Sequence, residues 1–122
     1  MRYHFQIHEK GKRFLAECIE LPRCFTQADS IEELNKNMQE ALNLYIEEPM
    51  DSKELFPLPD ESLMLSNPDN VVEVRLDPLI AFAFMVRYHQ IKHGLTRQEA
   101  ADEIGIENMY STFRLFQQLR ER

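Results

Sequence analysis

Four side chains near the N terminus have the chemistry to bind a metal ion: His4, His8, Cys18 and Cys24. A zinc site needs about four such ligands in a tetrahedron, often supplied as close pairs such as Cys-x-x-Cys or two histidines one helical turn apart. These four residues include no Cys-x-x-Cys pair and no histidine pair on a predicted helix. We therefore interpret the histidines as polar strand residues and the cysteines as buried structural residues, and we expect no metal and no cofactor.

Glutamates in the same region are the remaining candidates for catalysis. Metal-dependent cleavage of a phosphodiester requires several carboxylates that converge on divalent cations. Glu9, Glu17 and Glu20 are instead scattered over a predicted hairpin and the loop that leaves it. The sequence therefore predicts no catalytic residues, and we expect that the protein is not an enzyme.

A second polar set, toward the C terminus, has the chemistry of DNA contacts. Asparagine can pair with adenine through two hydrogen bonds, and arginine can pair with guanine or hold a phosphate. An arginine and a glutamine at a helix N terminus suit a phosphate oxygen, because free backbone N–H groups point at it. The predicted contact residues are Arg97, Gln98, Asn108, Ser111, Thr112 and Arg114. The alternative is that these residues form a plain solvated surface.

These contacts depend on a helix-turn-helix arrangement that residues 95–109 are predicted to form. Thr96 and Glu99 have the spacing of a capping box, which starts a helix. Gly105 follows where that helix should end, because glycine adopts the left-handed conformation at low cost. The small side chain of Ala101 would allow a second helix to approach closely. An ordinary helical hairpin is the alternative interpretation.

Alternation of apolar and polar residues with a period of two predicts the strands of a sheet. The predicted strands cover residues 2–8, 14–18, 24–26 and 71–76. One helix is predicted between the third and fourth strands. The N-terminal domain, residues 1–76, is therefore predicted to have the element order β-β-β-α-β.

The helix between these strands is predicted from a capping signal and an apolar stripe. Ser30 and Glu33 have capping-box spacing, and apolar residues recur at helical spacing over residues 31–46. Residues 49–70 then hold four prolines and many acidic residues, so we expect an extended connector. The apolar residues expected to hold this connector against the sheet are Leu55, Phe56 and Leu58.

The C-terminal domain, residues 77–122, is predicted to be all helical, which makes the whole chain an α+β protein. Asp77 caps and Pro78 begins a helix that ends at Gly94. This helix is apolar over more than half of its circumference, so we expect its own domain and a second subunit to bury it. A last helix should follow from about Glu107, and we expect this end of the domain to be truncated or completed by partners.

Composition and charge restrict the class of protein further. Apolar residues make up 43% and charged residues 29% of the 122 residues, as in folded globular proteins. The sequence shows no apolar run that could span a membrane and no signal peptide, so we expect a cytoplasmic protein without membrane contact.

The net charge of −7 comes from the N-terminal domain. Residues 1–76 hold 8 basic and 15 acidic side chains, whereas residues 77–122 hold 6 of each. The acidic domain should attract a basic partner, and the neutral domain should bind DNA only weakly as a single copy. A dimer or tetramer could combine weak half-sites, so we expect a homo-oligomer.

Several short motifs follow one another along the chain in a defined order. They are Leu15-Ala16-Glu17, Leu21-Pro22-Arg23-Cys24-Phe25-Thr26-Gln27, Asp29-Ser30-Ile31-Glu32-Glu33, Asn37 and Glu40-Ala41-Leu42-Asn43-Leu44-Tyr45. In this order and spacing they resemble the HicB antitoxin family, in which glycine usually stands at the positions of Arg23 and Ala28. The resemblance continues through Leu58-Pro59 and the strand at 71–76 into the helix-turn-helix, and so covers nearly the whole chain.

This resemblance implies a partial ribonuclease H-like domain joined to a DNA-binding helix-turn-helix domain. It also implies an antitoxin that binds and silences HicA, a small basic ribonuclease with a fold like that of double-stranded-RNA-binding domains. Such antitoxins repress their own operon, so operator DNA is a second expected partner. The alternative is a phage- or operon-linked transcriptional regulator without a toxin partner.

Overall fold

The computed structural model describes residues 1–48, 52–64 and 69–104. Within these ranges the chain is an α+β protein with one four-stranded antiparallel sheet and three helices, which confirms the predicted fold class at that level. The predicted last helix lies outside the described residues, together with Gly105 and four expected contact residues: Asn108, Ser111, Thr112 and Arg114.

The chain divides into two compact units. The first consists of Met1–Glu47 and Phe56–Leu76, and the second consists of Glu48–Leu55 and the residues from Asp77 onward. The connector at residues 49–70 was predicted to belong to the N-terminal domain, whereas Glu48–Leu55 belongs to the second unit. Its attachment there includes a hydrogen bond of 2.9 Å from Arg87 Nε to the carbonyl oxygen of Glu54.

The sheet has the strand order β3-β2-β1-β4, with every neighbouring pair antiparallel. Its strands are β1 (Arg2–Lys10), β2 (Arg13–Cys18), β3 (Phe25–Ala28) and β4 (Val71–Arg75). Tyr3 and Phe5 of β1 are fully buried, in agreement with the predicted apolar face. β3 begins one residue later than predicted, because the Cys24 N–H closes a turn onto the carbonyl of Leu21. It also continues two residues beyond the predicted end.

One helix, α1 (Ile31–Ile46), packs against the sheet. The Ser30 hydroxyl accepts the N–H of Glu33 at 3.2 Å, so Ser30 caps the helix as predicted. The side chains of Asn37 and Gln39 donate hydrogen bonds to backbone carbonyls of the two edge strands. Ile31 is exposed, although it was assigned to the apolar stripe. The buried members of that stripe are Leu34, Met38, Leu42 and Ile46.

The turn between β2 and β3 contains a residue in a left-handed conformation. Arg23 has a φ of 68°, a region in which a Cβ atom crowds the backbone. The HicB pattern has glycine, which lacks a Cβ atom, at this position, whereas this chain has arginine. The hydroxyl of Tyr45 donates to the carbonyl oxygen of Pro22 at 2.8 Å and attaches this turn to α1.

The part of the connector that belongs to the first unit is anchored by aromatic residues. The Phe56 ring lies 5.1 Å from the Tyr45 ring, centroid to centroid. The Tyr3 hydroxyl donates to the carbonyl oxygen of Pro57 at 2.8 Å, and burial raises the pKa of Tyr3. Leu58 is exposed, contrary to prediction, and an unpredicted 3-10 turn follows at Glu61–Met64. Of the three apolar residues expected to hold the connector, Phe56 packs against Tyr45 within this unit.

The second unit contains helix α2 (Pro78–His93), which begins and ends as predicted. Asp77 caps it by accepting the N–H groups of Leu79 and Ile80 at 2.9 and 3.4 Å, and Gly94 ends it with a φ of 65°. Leu79 and Ile91 are exposed on this helix, so the described part of the chain does not bury all of its apolar surface. Coverage by a second subunit remains a prediction. No described helix has both the length and the apolar content that crossing a bilayer requires.

Candidate functional site

The third helix, α3, covers residues 97–104 and begins at a reciprocal capping box. The Thr96 hydroxyl oxygen accepts the N–H of Glu99 at 3.2 Å, and Glu99 Oε1 accepts the N–H of Thr96 at 3.1 Å. The backbone hydrogen bond from Thr96 lowers the pKa of the Glu99 carboxyl, because it favours the charged form. The predicted start of this helix is therefore confirmed.

Small side chains allow α3 to pack closely against α2. Ala100 and Ile104 are almost fully buried and form a cluster with Val86 of α2. The N–H of Ala100 donates to the carbonyl oxygen of Thr96 at 3.0 Å, which completes the first helical turn. The partly buried residues packed around this cluster are Phe82, Met85, Leu95 and Ala101. Ala100 and Ile104 thus form the buried face of this helix, with Ala101 at its margin.

Two of the six predicted DNA-contact residues lie in the described part of α3. Arg97 and Gln98 are exposed in its first turn. The positive end of the helix dipole and the Arg97 guanidinium together favour an anion there. Gln98 Nε2 already donates to Asp102 Oδ1 at 3.0 Å, so this amide has an intramolecular partner. The structure therefore brings together Arg97 and Gln98, whereas the other four predicted contacts lie outside its described residues.

A cavity of about 270 Å³ lies within the second unit and reaches Arg97. Apolar side chains of α2 and α3 form most of its wall. Two arginines and one glutamate contribute to the same lining, so the cavity combines an apolar interior with an excess of positive charge. The lining residues are Glu48, Phe82, Ala83, Val86, Arg87, Gln90, Arg97 and Ala101.

Arg87 is a buried cation that the sequence analysis missed. It is only 7% exposed, and its guanidinium carbon lies 5.5 Å from the centroid of the Phe84 ring. Its Nε donates to the carbonyl oxygen of Glu54, but its Nη2 is shielded from solvent and has no hydrogen-bond partner among the residues that the structure describes. The available signal was one charged residue inside an otherwise apolar run over residues 79–88. A charged residue is rarely buried unless it has a partner, so an arginine within this apolar run indicated a specific interaction.

A second missed feature is a buried His–Glu pair in the first unit. His4 Nδ1 donates to Glu20 Oε2 at 2.7 Å, and the same carboxylate accepts the backbone N–H groups of His4 and Asp60. The interpretation of His4 as a polar strand-face residue was therefore wrong about its burial, whereas His8 is exposed. Glu20 thus links β1, the exit of β2 and the connector through three hydrogen bonds, an arrangement suited to stability.

The cysteines and histidines are the remaining candidates for metal binding. Cys18 and Cys24 are free thiols and buried. His89 and His93 of α2 lie one turn apart with ring centroids 5.4 Å apart, a pair that the sequence analysis overlooked. In the described ranges no three His, Cys, Asp or Glu side chains are arranged to hold a metal ion.

No protein-family model matches this chain. No curated protein matches its sequence.

Proposed function

We propose that this protein is an antitoxin of the HicB type, which neutralises a small basic mRNA-cleaving toxin of the HicA type and represses its own operon. The observation that carries this proposal is the order of elements, a β-β-β-α-β unit followed directly by the capped helices α2 and α3. The motifs that resemble the family occur in the same order. In this proposal the sheet unit is a partial ribonuclease H-like domain, and α2 and α3 begin a helix-turn-helix domain.

The charge of the N-terminal region supports a basic partner. Residues 1–76 hold 15 acidic and 8 basic side chains. Opposite net charge accelerates the encounter of two proteins and disfavours wrong partners, although it contributes less to affinity itself. The antitoxin would act as a ribonuclease inhibitor by binding, and the proposal assigns it no catalytic step.

The N-terminal turn of α3 supports binding to operator DNA. Arg97 and Gln98 are proposed to hold backbone phosphate there. The proposed base and backbone contacts that follow them are Asn108, Ser111, Thr112 and Arg114. Residues 77–122 carry equal numbers of basic and acidic side chains, so a single copy would bind DNA weakly. The proposal therefore includes a homo-oligomer, a dimer or tetramer, on a two-fold related operator.

RNA cleavage by the small protein encoded beside this one tests the antitoxin proposal. Adding this chain should abolish cleavage at a fixed stoichiometry, and the purified chain alone should cleave no RNA with or without divalent metal. The variant Arg114→Ala is the matched control, because it should still neutralise the toxin while binding operator DNA more weakly. Cleavage that persists with excess wild-type chain would refute the antitoxin proposal.

A transcriptional regulator without a toxin is the second candidate. The observation that favours it is that the capping box, Arg97 and Gln98 all belong to the second unit and require no toxin. This candidate predicts operator binding without any effect on RNA cleavage. It also predicts that no small basic protein is encoded beside this one.

A further inference from the structure

Cys18 is the last residue of β2, and Cys24 directly precedes β3. The register of the two strands pairs Ala16 with Thr26 and Glu17 with Phe25, and the next step along it pairs Cys18 with Cys24. The backbone N–H of Cys18 donates to the carbonyl oxygen of Cys24 at 2.8 Å, which continues the ladder by one bond. The loop that joins the two cysteines is therefore closed by the backbone itself.

Both cysteine side chains are buried. Cys18 is 7% and Cys24 is 4% exposed. Directly opposite residues on antiparallel strands have Cα atoms about 4.5–5.5 Å apart, which lies inside the range of about 4.4–6.8 Å that disulfides occupy. The backbone therefore already holds the two residues at a separation that a disulfide can bridge.

The Cys18 thiol donates to Glu20 Oε1 at 3.8 Å, and the Cys24 thiol donates to the carbonyl oxygen of Ala41 at 3.9 Å. Interaction with the Cys18 thiol lowers the pKa of Cys24. Interaction with Cys24, together with burial, raises the pKa of Cys18. Cys24 is therefore the better nucleophile of the pair, and Cys18 supplies the proton.

We propose that Cys18 and Cys24 form a disulfide site that a small peroxide-class oxidant closes and a thiol reductant reopens. The Cys24 thiolate attacks one peroxide oxygen and the O–O bond breaks, which forms a sulfenic acid on Cys24. The departing hydroxide takes up the proton that the Cys24 thiol had lost and becomes the first water. The Cys18 sulfur then attacks that sulfur, an S–S bond forms, and the sulfenic oxygen leaves as water with the Cys18 proton. Two thiols and one hydrogen peroxide thus give one disulfide and two waters.

Closing this bond should stabilise the first unit. It would link the ends of a seven-residue loop, Cys18–Cys24, which contains the left-handed Arg23. A short cross-linked loop restricts the unfolded chain, and the Tm of the oxidised protein should be higher by roughly 5–10 °C. Reduction should restore the original Tm, because the reduced structure already holds both residues in place.

Peptide mapping of the full chain tests the proposal. The protein is treated with hydrogen peroxide, its remaining thiols are alkylated, and it is digested with trypsin without reduction. Because Arg23 lies between the two cysteines, trypsin separates them into the peptides Phe14–Arg23 and Cys24–Lys36. We expect these two peptides joined by a disulfide, with the protein still a single chain on a non-reducing gel. Dithiothreitol should release them as separate peptides.

Two outcomes would overturn the proposal. The first is oxidation of either cysteine to sulfinic acid without any linked peptide. The second is a covalent dimer of two chains in place of the linkage within one chain. The variants Cys18→Ala and Cys24→Ala serve as controls, since neither can give the linked pair and neither should show the rise in Tm with peroxide.

Discussion

His4 Nδ1 lies 2.7 Å from Glu20 Oε2, and the two side chains are only 2% and 4% exposed. The Glu20 carboxylate also accepts the backbone N–H of His4 at 2.9 Å and that of Asp60 at 3.1 Å. One carboxylate therefore joins β1, the exit of β2 and the connector. Removing a buried group that has several hydrogen-bond partners lowers the free energy of unfolding by more than the net contribution of a simple pair, because each partner is left buried and unsatisfied.

Glu20→Ala should lower the free energy of unfolding by about 3–5 kcal/mol, because the His4 ring and two backbone N–H groups lose their acceptor. Urea denaturation followed by circular dichroism measures this loss. Glu17→Ala is the matched control. Glu17 is 57% exposed and 3.8 Å from His8, so its removal should cost less than about 1 kcal/mol. Equal effects of the two substitutions would show that the buried carboxylate has no special role.

Arg23→Gly should stabilise the protein, because Arg23 has a φ of 68° and glycine enters this region without strain. The left-handed conformation costs other residues about 1–2 kcal/mol, and the greater freedom of glycine in the unfolded chain offsets part of the gain. We expect a net gain of about 0.5–1 kcal/mol in urea denaturation. Arg23→Ala keeps the Cβ and should leave stability nearly unchanged, so a similar gain for alanine would contradict the argument.

The regular elements could be predicted from sequence because their signals are local. Alternation predicted the strands, the Ser30 and Asp77 caps predicted helix starts, and Thr96 with Glu99 predicted the capping box that the structure shows. Errors in these elements are confined to their ends, as at β3. There the turn bond between Cys24 and Leu21 decides the boundary, and no periodicity reports such a bond.

The buried polar groups could not be predicted because their partners are distant in sequence. Alternation places His4 on the face opposite Tyr3 and Phe5, and that face was taken as solvated. Glu20 covers it only because the chain turns back after β2 and the connector supplies the Asp60 N–H. Arg87 is similar, since its burial depends on a carbonyl at Glu54, 33 residues earlier. A sequence pattern shows which residues share one face of a strand or helix, but it does not show which other part of the chain covers that face.

Thr96→Ala should loosen the start of α3, because the Glu99 N–H loses the hydroxyl that accepts it at 3.2 Å. Loss of such a cap costs about 0.5–2 kcal/mol of helix stability. Amide hydrogen exchange of residues 97–104 should therefore accelerate severalfold, while exchange in α1 stays unchanged. Thr96→Ser retains the hydroxyl and serves as the control. Unchanged exchange in Thr96→Ala would indicate that packing of Ala100 and Ile104 alone holds this helix.

The capping box should also make α3 sensitive to acid. Its backbone hydrogen bond lowers the pKa of Glu99 below the ordinary value of 4.5, so the folded state favours the carboxylate. The stabilisation is therefore complete above pH 4.5 and is lost as the pH falls through the lower, folded-state pKa. Hydrogen exchange of residues 97–104 should accelerate across that acidic range, after correction for intrinsic rates. Glu99→Gln cannot titrate, so a wild-type profile identical to that of this variant would contradict the prediction.

Arg97 and Arg114 are expected to affect DNA binding in different ways. Arg97 is proposed to hold a phosphate, so Arg97→Ala should weaken binding to operator and random DNA alike. The slope of log affinity against log salt concentration should fall by the value of about one phosphate contact. Arg114 and Asn108 are proposed to contact base edges, so alanine at either position should reduce discrimination between operator and random DNA by about 1–3 kcal/mol.

Fluorescence anisotropy at several salt concentrations distinguishes the two effects. Arg13→Ala is the control, because Arg13 is an exposed arginine of the first unit that pairs with Asp29 at 3.0 Å and has no proposed DNA contact. If Arg97→Ala leaves the salt dependence equal to that of Arg13→Ala, the N-terminal turn of α3 does not bind phosphate. The DNA contacts would then have to be assigned to residues other than Arg97.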